Sequence, residues 1–199
     1  MMRADRNARR LAILVVLAVL ALPALAYEYP LTSGAIRTAY LDGKAGGDES
    51  RQFFAQYTHT LRELKLGGCP SMIRIETPFE QIAERARATA NYTSQDAVEE
   101  FMAKPPARFL MQMDLCFGHT EPQSVKFEVM QNGKKLVPVS IDRSPFFPIS
   151  DETSAPPSIG EHIHLEFKAE KIDASDLTVK IETVDGREDE TTFDLAMLK

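Results

Sequence analysis

The amino-acid sequence predicts an α+β fold in which N-terminal helices pack with a C-terminal antiparallel β-sheet or small β-sandwich. Two observations carry this. Apolar residues recur every three or four positions through much of 31–104, whereas from Arg108 onward they alternate with polar ones. Two turn signals, Asn132-Gly133 and Asp185-Gly186, then punctuate the alternating half. Helices followed by strands, rather than interleaved with them, argue against repeated βαβ units. The expected organisation is a leader at 1–26, a helical region with one short strand at 27–104, and an antiparallel β region at 105–199. The last two are expected to form one compact unit.

The leader reads in three parts. Arg3, Arg6, Arg9 and Arg10 open it, Leu11 to Leu22 is unbroken apolar sequence, and Ala24-Leu25-Ala26 offers the small residues a signal peptidase accepts. The apolar run has 12 residues and is followed by Pro23, whereas a bilayer span needs about 20. Cleavage after Ala26 is therefore expected over retention as a membrane anchor. It places the mature chain in the periplasm or outside the cell.

A first helix is expected after Thr32 or Ser33, with Ile36, Ala39 and Tyr40 on one face, broken by Gly43, Gly46 and Gly47. Asp48 is expected to cap a second, whose stripe is Phe53, Phe54, Tyr57, Leu61 and Leu64. A short strand at 72–76 leads into Thr77-Pro78-Phe79-Glu80, where Thr77 caps, Pro78 sits in the first turn and Glu80 can complete a capping box. Ser94 is expected to cap one more helix, burying Val98, Phe101 and Met102. Strands follow at 108–117, 125–129, 135–141, 162–169, 177–181 and 191–195. Pro138 marks the third of these as an edge strand. The connection 144–159 holds four prolines and is long enough to be mobile or functional.

Charge excludes some partners. Removing four arginines and one aspartate from the 23 basic and 29 acidic residues leaves a mature net charge of −9. Nucleic acid and polybasic membrane contacts both need the opposite sign. No nucleophile elbow, phosphate-binding glycine loop or His-Glu-x-x-His occurs.

One constellation has ligand chemistry. His162, His164 and Glu166 alternate on one strand and so project from one face, giving an N, N, O set that suits zinc, copper or non-haem iron. The competing reading is the polar face of an amphipathic strand, continued by Lys168 and Glu170. His59 and His119 would join only by an accident of folding. The two cysteines form a second constellation. If 72–76 pairs antiparallel with 108–117, Cys69 stands beside Cys116. A parallel pairing would separate them by several residues at ~3.3 Å each, beyond the ~7 Å bridging limit. In an exported chain such a pair is a disulfide candidate, and two reduced, buried thiols are the equal alternative.

Tyr29-Pro30-Leu31, Ile36-Arg37, Ala39-Tyr40, Thr77-Pro78-Phe79 and the ending Phe193-Asp194-Leu195 together resemble an uncharacterised family of exported bacterial proteins. The resemblance implies secretion and a shared fold, and no assigned activity. The functional expectation is a non-catalytic exported protein that binds an unknown protein or small ligand, with no required cofactor. The alternatives are metal binding through His162 and His164, or a hydrolase whose catalytic residues are dispersed in sequence.

Overall fold

A computed structural model describes residues 27–66, 69–117, 125–146, 159–183 and 186–198. The leader and most of the proline-bearing connection lie outside the described residues. Four helices come from the N-terminal half: α1 (Ser33–Lys44), α2 (Gly47–Ala55), α3 (Pro78–Ala88) and α4 (Ser94–Ala103). Among the described residues nine strands make two antiparallel sheets. The larger contains β1 (Thr58–Leu66), β2 (Cys69–Glu76), β3 (Arg108–Phe117), β6 (Ser140–Phe146) and β7 (Ile159–Lys168), in the order β1-β2-β3-β7-β6. The smaller contains β4 (Lys126–Gln131), β5 (Lys134–Lys135), β8 (Leu177–Glu182) and β9 (Glu188–Phe193), in the order β5-β4-β8-β9. The α+β expectation holds, in its sandwich form.

The alternation in sequence explains the core. Phe109, Met111, Met113 and Leu115 of β3 and Ile163, Leu165 and Phe167 of β7 turn inward, against Val129, Val179, Ile181 and Phe193 of the smaller sheet. Each fully buried side chain of this size contributes about 1.5–3 kcal/mol. A second cluster, Leu31, Ile36, Ala39, Phe79, Ile82 and Ala97, holds the helices together. Phe53 packs against both clusters and so joins helices to sandwich.

Several local expectations are corrected. The stripe predicted as one helix from Asp48 ends at Ala55, and Leu61 and Leu64 belong to β1. Their helix-like spacing of three comes from an irregularity in the β1–β2 register between Leu61 and Leu66, which lets both face the core. The buried hydroxyl of Ser71 serves that irregular stretch. It donates to the Leu64 carbonyl at 2.8 Å and accepts from the Cys116 N–H at 2.8 Å. The region 27–104 thus carries two strands, not one. Gly43 does not break α1. It lies inside the helix, so close to α3 that a Cβ there would meet the Ala83 carbonyl oxygen at 2.1 Å.

Caps follow the same pattern. Thr32 and Thr77 cap α1 and α3 through their side-chain oxygens. Thr93, not Ser94, caps α4, in a full capping box with Asp96. That helix buries Ala97, with Val98 and Phe101 partly covered and Met102 exposed. Glu80 forms no capping box. Its side chain is fully buried and bonds Arg74 instead. Asn132 and Gly133 both have positive φ, 52° and 70°, as the predicted two-residue turn demands. The single strand expected at 135–141 is split. The chain leaves the smaller sheet after Lys135, passes Pro138, and enters the larger sheet as its edge strand β6.

Candidate functional site

The inner face of the larger sheet is committed to the core, so its chemistry lies on the other face. Register sets the rows there. Asp114 pairs with Met72 on one side and His162 on the other, and His162 pairs in turn with Ser144. The next row is Arg74, Gln112, His164 and Asp142. The third is Glu76, Leu110, Glu166 and Ser140. His162, His164 and Glu166 do share one face.

Their surroundings differ. His162 Nδ1 lies 2.6 Å from Asp114 Oδ1. An ionised carboxylate only accepts, so the ring nitrogen facing it carries the proton. Gln112 Nε2 donates to both oxygens of Asp114, at 3.0 and 3.2 Å. Phe146 stacks on the imidazole with centroids 4.2 Å apart and planes 26° from parallel. Gly160 makes room for that ring, since a Cβ there would lie 2.3 Å from Phe146 Cζ. Orientation from one side, packing from another and a supported carboxylate together fix the plane of the ring. Among the described residues nothing bonds its Nε2.

His164 is exposed, with no hydrogen-bond partner among the described residues. Glu166 is turned toward Arg108, with Oε2 3.7 Å from Nη1. Among the described residues no group of three or more His, Cys, Asp or Glu side chains converges to hold a metal ion. His59 stands elsewhere. It pairs with Ile73, hence on the inner face, where it stacks on Phe193 at 4.1 Å and bonds Thr191 Oγ1 at 2.7 Å. Burial there pushes its pKa below the usual value. His119 lies outside the described residues.

Cys69 and Cys116 stand at disulfide-bonding distance, their Cα atoms 6.0 Å apart. The geometry arises from antiparallel β2–β3 pairing, in which Met72 faces Asp114 and Glu76 faces Leu110. The link ties the end of β3 that follows Asp114 to the start of β2.

Two other features compete as sites. A groove of about 700 Å³ runs over the smaller sheet near Lys126, Lys135 and Lys180. Those charges are matched across strands in the pairs Lys126–Glu182, Lys135–Glu128 and Lys180–Glu190. It is a solvated charged face. At the open edge of the sandwich, Arg143 of β6 donates to the Val125 carbonyl at 2.9 Å, lies over the Phe127 ring and approaches Glu161 at 3.5 Å. These contacts close the core and leave the residue committed to it.

Reading the sequence found His162 and its face but missed Asp114, Gln112, Ser144 and Phe146 as its neighbours. The usable signal was the shared alternation of 108–117 and 162–168. Pairing those two strands would have put Asp114 and His162 on one face, while alternation by itself leaves open which residue stands opposite which. No helix among the described residues is long and apolar enough to cross a membrane. Compared with known proteins, the chain matches no family model and no curated protein.

Proposed function

We propose that this is an exported binding protein whose ligand surface is the outward face of the larger sheet, centred on His162. The observation that carries the reading is the imidazole held by Asp114, itself held by Gln112. A merely solvated strand face has no need of a second layer of hydrogen bonds behind one ring. Export rests on the leader and its expected cleavage after Ala26, and the cysteine pair fits an oxidising compartment. The resemblance to an exported family agrees with it. A small polar ligand or an extended segment of a protein partner suits a face with donors, acceptors and a ring nitrogen that nothing among the described residues bonds.

The test is a thermal-shift screen of the mature chain against sugars, amino acids, short peptides and divalent cations. Hits would be mapped by backbone amide shifts. Perturbations confined to 72–76, 110–116, 140–146 and 160–166, and lost in His162→Ala, are expected. Hits that map to the smaller sheet would overturn the assignment of the face. Amino-terminal sequencing of the exported chain checks the boundary, with Tyr27 expected first.

A further inference from the structure

The row through His162 contains one more chemical group. Ser144 of β6 is paired directly with His162 of β7, and Asp114 of β3 is paired directly with His162 from the other side. A hydroxyl, an imidazole and a carboxylate therefore stand in line across three adjacent strands of one face. Directly opposed residues in an antiparallel pair have Cβ atoms about 4.5–5.5 Å apart. Asp114 holds Nδ1 on the β3 side. The two nitrogens of imidazole are separated by one carbon and point in divergent directions, so Nε2 is turned away from Asp114, and Ser144 is the residue paired with His162 on the opposite side.

We propose that Ser144, His162 and Asp114 constitute a serine-nucleophile site for carboxylic esters. The proposal rests on the same face as the binding reading above. Ser144 Oγ attacks the ester carbonyl carbon, and His162 Nε2 takes the hydroxyl proton. Collapse of the tetrahedral intermediate breaks the bond to the alcohol oxygen, which leaves with that proton. Water then attacks the acyl-serine through the same base, releasing the carboxylic acid and restoring the hydroxyl. Asp114 is the positioning residue: it keeps the proton on Nδ1, so Nε2 is the basic nitrogen, and it stabilises the imidazolium that forms. Gln112 and Phe146 hold the carboxylate and the ring. Among the described residues β6 is an edge strand, so the backbone N–H groups on its outer side are not taken by a neighbouring strand there and can serve an ester oxyanion. An open face of this kind suits esters with good leaving groups rather than amides, whose poorer leaving group demands a more enclosed site.

The test uses the purified mature chain with a fluorophosphonate probe and with p-nitrophenyl acetate. Expected are covalent labelling of Ser144, located by peptide mass spectrometry, and ester turnover that is lost in Ser144→Ala. His162→Ala, and the isosteric Asp114→Asn as the variant least able to disturb folding, should each lower the labelling rate by about 10²-fold or more. Matching circular dichroism and melting curves would confirm that these variants are folded. Absence of labelling, labelling elsewhere, or labelling unchanged in Asp114→Asn and His162→Ala would overturn the proposal. Ligands that map to the face without any labelling would sink this inference and leave the binding reading intact.

Discussion

Arg74 on β2 reaches six residues along the chain to Glu80 on α3, with Nη2 2.7 Å from Oε1, and the glutamate side chain is completely buried. The carboxylate's other oxygen has no hydrogen-bond partner among the described residues. Burial pushes Glu80 up to about 7, and the arginine only partly opposes this. The folded protein therefore holds a proton that the unfolded chain has released between about pH 4.5 and 7. The stability contributed is present below that window and falls as pH rises through it. Urea midpoints should drop between pH 5 and 8 in the wild type and stay nearly level in Glu80→Gln. Parallel curves for the two proteins would contradict the burial argument.

The bond between His162 and Asp114 fixes a tautomer. Neutral His162 should carry its proton on Nδ1, against the preference of an unconstrained histidine side chain for Nε2. Long-range ¹⁵N–¹H correlation spectra report this directly. In Asp114→Ala the proton should shift to Nε2, while His164, lacking such a partner among the described residues, should be unaffected.

Gly43 and Gly34 lie in the same helix and predict opposite responses. A methyl group at Gly43 would press on the Ala83 carbonyl oxygen of α3, which is backbone and cannot swing aside. Gly43→Ala should cost about 1–3 kcal/mol, with the helices forced apart. At Gly34 the nearest atom to an added Cβ is Thr32 Oγ1 at 3.8 Å, an ordinary contact. Gly34→Ala should therefore stabilise, by about 0.4–1 kcal/mol, through the unfolded chain. Denaturant titrations of both variants give the comparison.

The Cys69–Cys116 link closes a loop of 47 residues. In the chain-entropy account such a loop contributes about 4 kcal/mol. Reductant should lower the melting temperature of the wild type, and the double variant Cys69→Ser/Cys116→Ser should no longer respond to it. Iodoacetamide should modify neither cysteine of the folded, unreduced protein.

Much of this architecture was legible because it depends on neighbours in sequence. Alternation placed Phe109, Met111, Met113, Ile163, Leu165 and Phe167 on the core face and His162, His164 and Glu166 on the other. Thr77 and Pro78 started α3 as read, and Asn132-Gly133 made its turn. The antiparallel pairing inferred for the cysteines is also the one observed. Where two periods overlap, the same reasoning failed. Leu61 and Leu64 imitate a helix because a bulge in β1 changes the count.

By itself the sequence determined most of the elements, the start of α3 at Thr77-Pro78, the Asn132-Gly133 turn and which side chains of β3 and β7 share a face, since these follow from the helical and extended repeats of a few residues. Only the tertiary structure decided register. Register alone puts Asp114 against His162 across 48 positions, sets Ser144 on the far side of that ring, and takes Glu80 from its expected cap to Arg74. The physical reason is that a strand's period states which way a side chain points but not which residue stands opposite. That choice is made by the whole core as the two sheets close on each other.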